Sequence, residues 1–156
     1  IPADKGDYRI LIKEVAPFVS RDLADGGKVG KNALKLTSKA EFLQVKDNDD
    51  GDLVVSNYLY QTAPAKPGKY LLTVWMKGKN GPAKGYNAVR CFINLQDAEK
   101  KTVNPGVDRQ FALTPDWVQQ KIDFTVPEKG ASLTLRFSLY GVGELFLDDV
   151  VVKPLK

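Results

Sequence analysis

The side chains best suited to recognise a ligand lie on predicted strands, on the side opposite a hydrophobic one. Aromatic rings pack on the apolar faces of a ligand, while planar Arg, Asn and Gln groups bind pairs of hydroxyls or a carboxylate. A sugar ring offers both surfaces, because its C–H groups lie on its faces and its hydroxyls at its rim. The candidate ligand-binding residues are Trp75, Arg90, Phe92, Asn94, Gln96, Arg136 and Tyr140, with Tyr58 on a further strand. We expect Trp75 to be the stacking platform, flanked by Phe92 and Tyr140 in one cleft.

The aromatic candidates also have structural alternatives. Trp75 could pack beneath a covering loop, and Phe92 could be a core residue beneath a strand crossing. Tyr58 and Tyr60 share one side of their strand, but the sequence does not decide whether that side faces the core. Trp117, which precedes another strand, is interpreted as a structural residue.

The two arginines among the candidates leave the charge of the ligand open. Guanidinium groups bind carboxylates through two parallel hydrogen bonds, so Arg90 and Arg136 favour uronates or other acidic glycans. Neutral glucans or xylans are equally compatible with a cleft lined by Trp. Both arginines could instead pair with surface carboxylates such as Asp97 or Glu99, a contact that contributes little free energy.

Composition excludes several kinds of chemistry. The 156 residues include no histidine and one cysteine, Cys91, so the usual general base, a His-activated nucleophile, an internal disulfide and a thiolate metal cluster are all missing. The net charge is +4, but 19 acidic residues are interspersed with 23 basic ones. A protein that binds duplex nucleic acid would concentrate its basic residues more strongly, so we expect no nucleic-acid partner.

The elements that must position these residues are short strands. Alternating apolar and polar residues, bounded by Gly, Pro, Asn and Asp, are typical of an antiparallel all-β domain. The predicted strands are Tyr8–Val15, Asn32–Thr37, Leu53–Ala63, Lys69–Lys77, Tyr86–Gln96, Arg109–Leu113, Val118–Val126, Ala131–Tyr140 and Glu144–Lys153. Nine strands at this spacing predict a single two-sheet β-sandwich of jelly-roll type, spanning residues 1–156.

Three of these strands have one unbroken apolar face. Successive side chains of a strand point to opposite sides, so the apolar set of each strand must face the core. The predicted core sets are Tyr70, Leu72, Val74 and Met76; Val89, Cys91, Ile93 and Leu95; and Leu133, Leu135, Phe137 and Leu139.

Composition also predicts three connections. Asp22–Gly30 is predicted to be a mobile loop, and any helix is confined to one turn within Arg21–Lys31. The turn Asn104-Pro105-Gly106 is predicted to separate two strands. Asp47–Asp52 is interpreted as a solvated hairpin tip, because it lacks the Gly and Glu positions of an EF-hand calcium loop.

Three motifs then resemble a known family. They are Tyr-Leu-Tyr-Gln-Thr followed by Pro-Gly-Lys-Tyr-Leu-Leu-Thr-Val-Trp-Met-Lys-Gly, then Trp117–Pro127 with its closing Phe-Thr-Val-Pro, and Leu145–Val152 with its Leu-Phe-Leu-Asp-Asp-Val. In this order and spacing, over Asn32–Pro154, they are similar to jelly-roll carbohydrate-binding modules of families four, nine, sixteen and twenty-two. The resemblance implies the galactose-binding-like jelly-roll fold and carbohydrate binding.

The same resemblance implies a structural calcium ion. In the family an acid near the opening segment and the first Asp of the final strand, here Asp148, would bind it. The family's opening Asn-Gly-x-Phe-Glu is replaced by Tyr8–Glu14, however, so Asp148 could instead accept bonds from backbone amides. No cofactor is required by this interpretation.

The sequence therefore predicts non-catalytic carbohydrate binding. We expect a monomeric module, excised or processed from a larger bacterial protein, that targets an appended glycan-degrading enzyme to a polysaccharide. Its partners would be a polysaccharide or oligosaccharide and the parent's catalytic domain, its location secreted or cell-surface, with no membrane span. The alternatives are a jelly-roll polysaccharide lyase, using Tyr140 and Arg136 as a tyrosine–cation pair, and a protein-interaction or structural surface module.

Overall fold

All regular structure in the described part of the chain is β-strand. The computed structural model describes residues 19–39, 42–43, 53–54, 56–80 and 88–156. These residues form eleven strands: β1 Val19–Asp25, β2 Asn32–Ser38, β3 Phe42–Leu43, β4 Leu53–Val54, β5 Ser56–Pro64, β6 Gly68–Asn80, β7 Ala88–Gln96, β8 Thr102–Phe111, β9 Val118–Val126, β10 Ser132–Tyr140 and β11 Gly143–Pro154. No helix long and apolar enough to cross a bilayer occurs among them. The predicted strand Tyr8–Val15 and the acidic turn Asp47–Asp52 lie outside the described residues.

The strands form two main antiparallel sheets. One has five strands in the order β1-β2-β11-β6-β9, and the other has four in the order β5-β10-β7-β8. β3 and β4 form a separate two-stranded antiparallel sheet. The inner faces of the two sheets contribute to one hydrophobic core. The predicted two-sheet antiparallel β-sandwich is confirmed.

The core contains the side chains that strand alternation assigned to it. Leu72, Val74 and Met76 of β6 are buried, and all four predicted residues of β7 are buried as well. Of the β10 set, Leu135 is partly buried and the other three residues are fully buried. Burying a large aliphatic or aromatic side chain contributes about 1.5–3 kcal/mol, so these faces fix which side of each strand points inward.

Cys91 lies in this core and makes the stability of the protein depend on pH. Burial raises the pKa of the Cys91 thiol to about 12 from 9.0, while the positive charge of Arg109 acts in the opposite direction. Below pH 9 the thiol is protonated in both the folded and the unfolded protein, so its contribution to the free energy of unfolding is fully present. As the pH rises from 9 towards 12 the unfolded chain ionises first, and this contribution is lost.

We therefore expect the free energy of unfolding of the wild type to fall above pH 9 more steeply than that of Cys91→Ala. The extra slope would approach about 1.4 kcal/mol per pH unit. Urea unfolding at several pH values between 8 and 10.5 measures the difference, and lysine and tyrosine titrations cancel between the two proteins. Parallel curves would show that Cys91 is not buried as described.

The predicted mobile loop Asp22–Gly30 is wrong in its first part. Residues up to Asp25 belong to β1, which pairs with β2 along its whole length, for example Leu23 with Leu34. β1 is an edge strand, and Leu23 is 70 % exposed, so its composition resembles that of a loop. Backbone pairing with β2, rather than side-chain burial, makes this segment a strand.

The predicted turn at Asn104-Pro105-Gly106 is also wrong. These residues lie inside β8, at an irregularity where the pairing with β7 shifts between Ile93 and Leu95. β8 is an edge strand of its sheet, where a proline without an N–H is tolerated. Gly106 permits close packing here, since a Cβ atom would lie 2.6 Å from the Ile93 carbonyl oxygen.

Candidate functional site

The candidate site residues lie on two opposite surfaces of the sandwich. Strands β5, β10 and β7 are neighbours in the four-stranded sheet, whereas β6 belongs to the five-stranded sheet. The outer surface of the first sheet, called here the four-strand face, includes seven candidates. Trp75 of β6 lies on the outer surface of the other sheet, the five-strand face. The expectation that Trp75 shares one cleft with the other candidates is therefore wrong. Alternation along a strand does not determine which sheet of a sandwich that strand joins.

Strand register aligns the four-strand face into rows that run across the sheet. Side chains directly opposite one another on neighbouring strands are close enough to interact. The central row is Tyr60, Arg136, Phe92 and Asp108, and the adjacent row is Tyr58, Ser138, Arg90 and Gln110.

Arg136 is the centre of the face. Its guanidinium carbon lies 4.3 Å from the centroid of the Phe92 ring and 5.7 Å from that of Tyr58. Its Nε atom is buried and makes no hydrogen bond to any residue that the structure describes, and the same holds for the hydroxyl of neighbouring Ser138. The ring of Phe92 is thus covered by Arg136. It supports the guanidinium rather than offering a free surface to a ligand.

Arg90 is neutralised by a carboxylate on the next strand. Its Nε donates to Asp108 Oδ1 over 2.8 Å, and its Nη2 donates to Oδ2 of the same carboxylate. The guanidinium carbon also lies 5.3 Å from the Phe92 centroid. The ion-pair alternative therefore holds for Arg90, but its partner is Asp108. Asp97 instead accepts hydrogen bonds from the backbone N–H groups of Glu99 and Lys101.

Tyr58 and Tyr60 both lie on the four-strand face, which settles the question that the sequence left open. Tyr60 is 67 % exposed and Tyr58 is 38 % exposed. Their ring centroids are 6.2 Å apart and the rings are inclined by 32°. On the other side of β5, Leu59 packs against the core and Asn57 is buried. Tyr60 is thus a large exposed aromatic residue of the face that the candidate set did not include.

The remaining candidates extend the face towards both ends. Asn94 and Gln96 of β7 lie opposite Thr134 and Ser132 of β10, and the Thr134 hydroxyl is 2.8 Å from that of Thr62. Tyr140 lies at the opposite end of β10, four residues from Arg136. At about 3.4 Å per residue the two are about 14 Å apart along the strand, too far for a compact tyrosine–cation pair.

Arg21 reaches the edge of this face from the other sheet. Its guanidinium carbon lies 5.7 Å from the Tyr58 centroid, and its Nε donates to Asn57 Oδ1 over 3.1 Å. Nothing in the sequence indicated this role, because β1 and β5 are brought together only when the two sheets pack.

The five-strand face has aromatic rings that lysines cover. Lys28, in the loop after β1, places its ammonium 4.8 Å from the centroid of the Trp75 ring. Lys77 lies 5.0 Å from the Trp117 centroid and 5.1 Å from the Phe146 centroid. The Trp75 ring therefore has the ammonium group of a loop lysine beside it, on the surface opposite the other candidates.

Asp148 binds backbone amides. Its Oδ2 accepts a hydrogen bond of 2.8 Å from the N–H of Val29, and its Oδ1 accepts one of 2.8 Å from the N–H of Asp149. Within the described ranges no group of three or more potential metal ligands occurs, and the opening acid implied by the resemblance lies outside them. The described residues therefore do not by themselves form a calcium site.

Comparison with solved structures identifies proteins that share this fold. No family model and no curated protein matches the sequence. Among solved structures, "Family 16 Carbohydrate Binding Module-2" has a TM-score of 0.57 at 18 % identity, covering 85 % of this chain and 84 % of that one. The CBM22-1–GH10 modules of Clostridium thermocellum xylanase 10B, complexed with xylohexaose, have a TM-score of 0.55 at 11 % identity, covering 90 % and 25 %.

A third similar structure is an enzyme. The enzymatically active domain of bacteriophage CBA120 tailspike protein 4 has a TM-score of 0.59 at 12 % identity, and the match covers 88 % of this chain but 17 % of that one. The chain thus spans a minor part of two of these three proteins. Together the comparisons show that the chain has the jelly-roll fold of carbohydrate-binding modules.

Proposed function

We propose that this protein binds carbohydrate on the four-strand face without altering it chemically. The observation that carries the proposal is the central row, where exposed Tyr60 lies opposite Arg136, whose Nε has no hydrogen-bond partner among the described residues. Because that Nε is itself buried, a ligand would meet the terminal N–H groups of the guanidinium, which can donate to hydroxyls or to a carboxylate.

The aromatic and polar residues around this row would contact different parts of a sugar ring. Tyr60 stacks against the C–H faces of sugar rings, and Tyr58, with its ring centroid 6.2 Å away, borders the same surface. Arg136, Asn94 and Gln96 bind hydroxyls or carboxylates at the rim of each ring. Because an open sheet face offers many modest contacts rather than one deep pocket, its natural ligand is an extended segment of a polymer.

By this binding, the module would target an attached enzyme to its polymer. In the xylanase structure to which this chain is similar, a binding module shares a chain with a catalytic one. By the same arrangement, this chain would be a monomeric module of a secreted or cell-surface bacterial protein. It would raise the local concentration of an appended glycan-degrading enzyme on its polymer.

The structural calcium ion that the family resemblance implies stays a prediction. It is tested by whether Ca²⁺ raises the melting temperature of the protein above that in EDTA.

A lyase is the second candidate function, and one contact favours it. Tyr58 lies beside the guanidinium groups of both Arg21 and Arg136. In β-elimination, cations neutralise the uronate carboxylate while a base takes the C5 proton. The C4–O bond breaks, a C4=C5 double bond forms, and the leaving oxygen takes up a proton. New ultraviolet absorbance from that double bond, on incubation with uronate polymers, would establish catalysis.

Affinity electrophoresis tests the binding proposal directly. Wild type, Tyr60→Ala and Trp75→Ala are run through gels that contain xylan, mixed-linkage glucan, mannan, pectin or alginate. We expect one polymer to retard the wild type and Tyr60→Ala to weaken that affinity about tenfold, the loss of one aromatic stacking contact. Trp75→Ala, on the opposite face, is the matched control and should be retarded like the wild type.

Two results would contradict the proposal. Retardation abolished by Trp75→Ala but not by Tyr60→Ala would move the site to the five-strand face. No retardation of the wild type by any polymer would favour the interaction-module alternative, especially if its elution in size-exclusion chromatography changed with the parent domain present. Far-ultraviolet circular dichroism of both variants confirms that each is folded.

A further inference from the structure

We infer that the ligand of the four-strand face is an acidic glycan, bound through a uronate carboxylate at the guanidinium groups of Arg21 and Arg136. This inference rests on the proposed function and specifies its substrate class. It depends on three points. Among the described residues, Arg21 and Arg136 lack the carboxylate partner that Arg90 has, and both lie beside Tyr58. A neutral ligand would also remove water from them without supplying a counter-charge.

The arginines of the face differ in charge compensation. Arg90 is fully paired with Asp108, the carboxylate that the described strands of this face contribute. Neither Arg21 nor Arg136 forms a salt bridge within the described residues. Among the described residues, the face therefore has two positive charges without a carboxylate partner, in a protein whose net charge is +4.

The two uncompensated charges converge on one ring. Both guanidinium carbons lie 5.7 Å from the centroid of Tyr58. Stacking occupies the flat face of a guanidinium and leaves the N–H groups in its plane free to donate. Arg21 uses its Nε for Asn57, and the Nε of Arg136 is buried and unpaired among the described residues, so a ligand would meet the terminal N–H groups of both arginines. Several donors are thus available beside one exposed aromatic residue.

A neutral polymer would fit this arrangement poorly. When a ligand covers the face, it displaces water from both guanidinium groups, and a charge that loses water without gaining a counter-charge is costly. A carboxylate repays that cost, because it accepts charge-assisted hydrogen bonds that are about twice as strong as neutral ones. The uncompensated arginines therefore act against neutral chains as well as in favour of acidic ones.

The position of Phe92 supports the same conclusion. Its ring holds the Arg136 guanidinium at 4.3 Å, so the cation is fixed before any ligand arrives. A fixed guanidinium loses little rotamer freedom when it binds a planar carboxylate. A hydroxyl-binding site would gain as much from a neutral amide at this position, which would not need a supporting ring.

Isothermal titration calorimetry with matched polymers tests the inference. The ligands are polygalacturonate and alginate, each compared with its carboxyl-reduced counterpart, which keeps the backbone but removes the charge. The proteins are wild type, Arg136→Gln, Arg136→Lys and Arg21→Gln, with Arg109→Gln as the charge-matched control. Arg109 lies on β8 opposite Cys91, on the other side of that strand from Asp108, so its loss lowers the net charge without changing the face.

We expect the wild type to bind one acidic polymer about 10- to 100-fold more tightly than its reduced form. Arg136→Gln and Arg21→Gln should each remove most of that preference, and Arg136→Lys should restore only part of it, since an ammonium lacks the planar pair of donors. Arg109→Gln should keep the preference, and affinity in the wild type should fall with added salt.

The outcomes separate this inference from the function on which it rests. Equal affinity for acidic and reduced polymers, or binding of neutral polymers alone with Tyr60→Ala still harmful, would overturn the acidic class and leave carbohydrate binding intact. Loss of preference in Arg109→Gln equal to that in Arg136→Gln would show that overall charge, not this pair, selects the ligand. No binding to any polymer would overturn both.

Discussion

Gly78→Ala is expected to lower the free energy of unfolding by about 4 kcal/mol, a large share of the roughly 5–15 kcal/mol that stabilises a typical domain. Gly78 lies within β6, opposite Leu145 of β11, and has a φ of 152°. A Cβ atom there would overlap the carbonyl oxygen of Glu144 and approach Leu113 Cδ1 to 3.2 Å. Backbone strain of about 1–3 kcal/mol adds to an overlap that only separation of the two strands can relieve.

Gly68→Ala provides a matched control for this variant. Gly68 begins the same strand and has a similar φ of 147°, but a Cβ atom added to it would meet nothing within 4 Å. It should therefore lose about 1 kcal/mol, the cost of the backbone conformation alone. Urea unfolding followed by tryptophan fluorescence measures both variants. Equal losses would mean that β6 and β11 do not approach each other as described.

Asn57→Ala is expected to cost about 3 kcal/mol. Asn57 is 0 % exposed, and its Nδ2 donates to the carbonyl oxygens of Ser20, over 2.8 Å, and Thr37, over 3.0 Å. Its Oδ1 accepts the hydrogen bond from Arg21. One amide on β5 thus joins the four-stranded sheet to two strands of the five-stranded sheet. An alanine removes all three hydrogen bonds of a buried side chain, and the loss of each costs about 1 kcal/mol.

Thermal and urea unfolding of Asn57→Ala, compared with Thr62→Ala, checks this expectation. Thr62 lies on the same strand, but its hydrogen bond to Thr134 is exposed, so its loss should cost less than about 1 kcal/mol. A similar small loss for both variants would show that Asn57 does not join the sheets. At temperatures where Asn57→Ala is folded, the acidic-glycan preference should also weaken, because Arg21 is no longer held beside Tyr58.

Asn57 therefore links stability to recognition. The Arg21 guanidinium takes its position from a buried side chain that the sandwich needs for its own cohesion. The other uncompensated arginine, Arg136, takes its position from Phe92 within one sheet. The proposed carboxylate site thus forms only when both sheets are in place.

The sequence by itself was sufficient to predict the β-sandwich and to identify which side of its central strands faces the core. In β6, β7 and β10 every second residue is apolar, and because the side-chain period of a strand is two, this local pattern determines which residues are buried. It also placed Arg90, Phe92, Asn94 and Arg136 correctly on outward sides. Where the pattern is ambiguous, as in β5 with Tyr58 and Tyr60 around Leu59, it gave no direction.

Only the tertiary structure decided which outward sides belong together. Alternation assigns a residue to one side of its own strand but contains no information on strand neighbours, which depend on pairings between distant segments. Trp75 was therefore grouped with residues on the opposite surface of the sandwich, and the Arg90–Asp108 pair and the position of Arg21 were not foreseeable. Each of these contacts joins residues brought together by sheet order and sheet packing, and neither sheet order nor sheet packing is encoded in the local period of the chain.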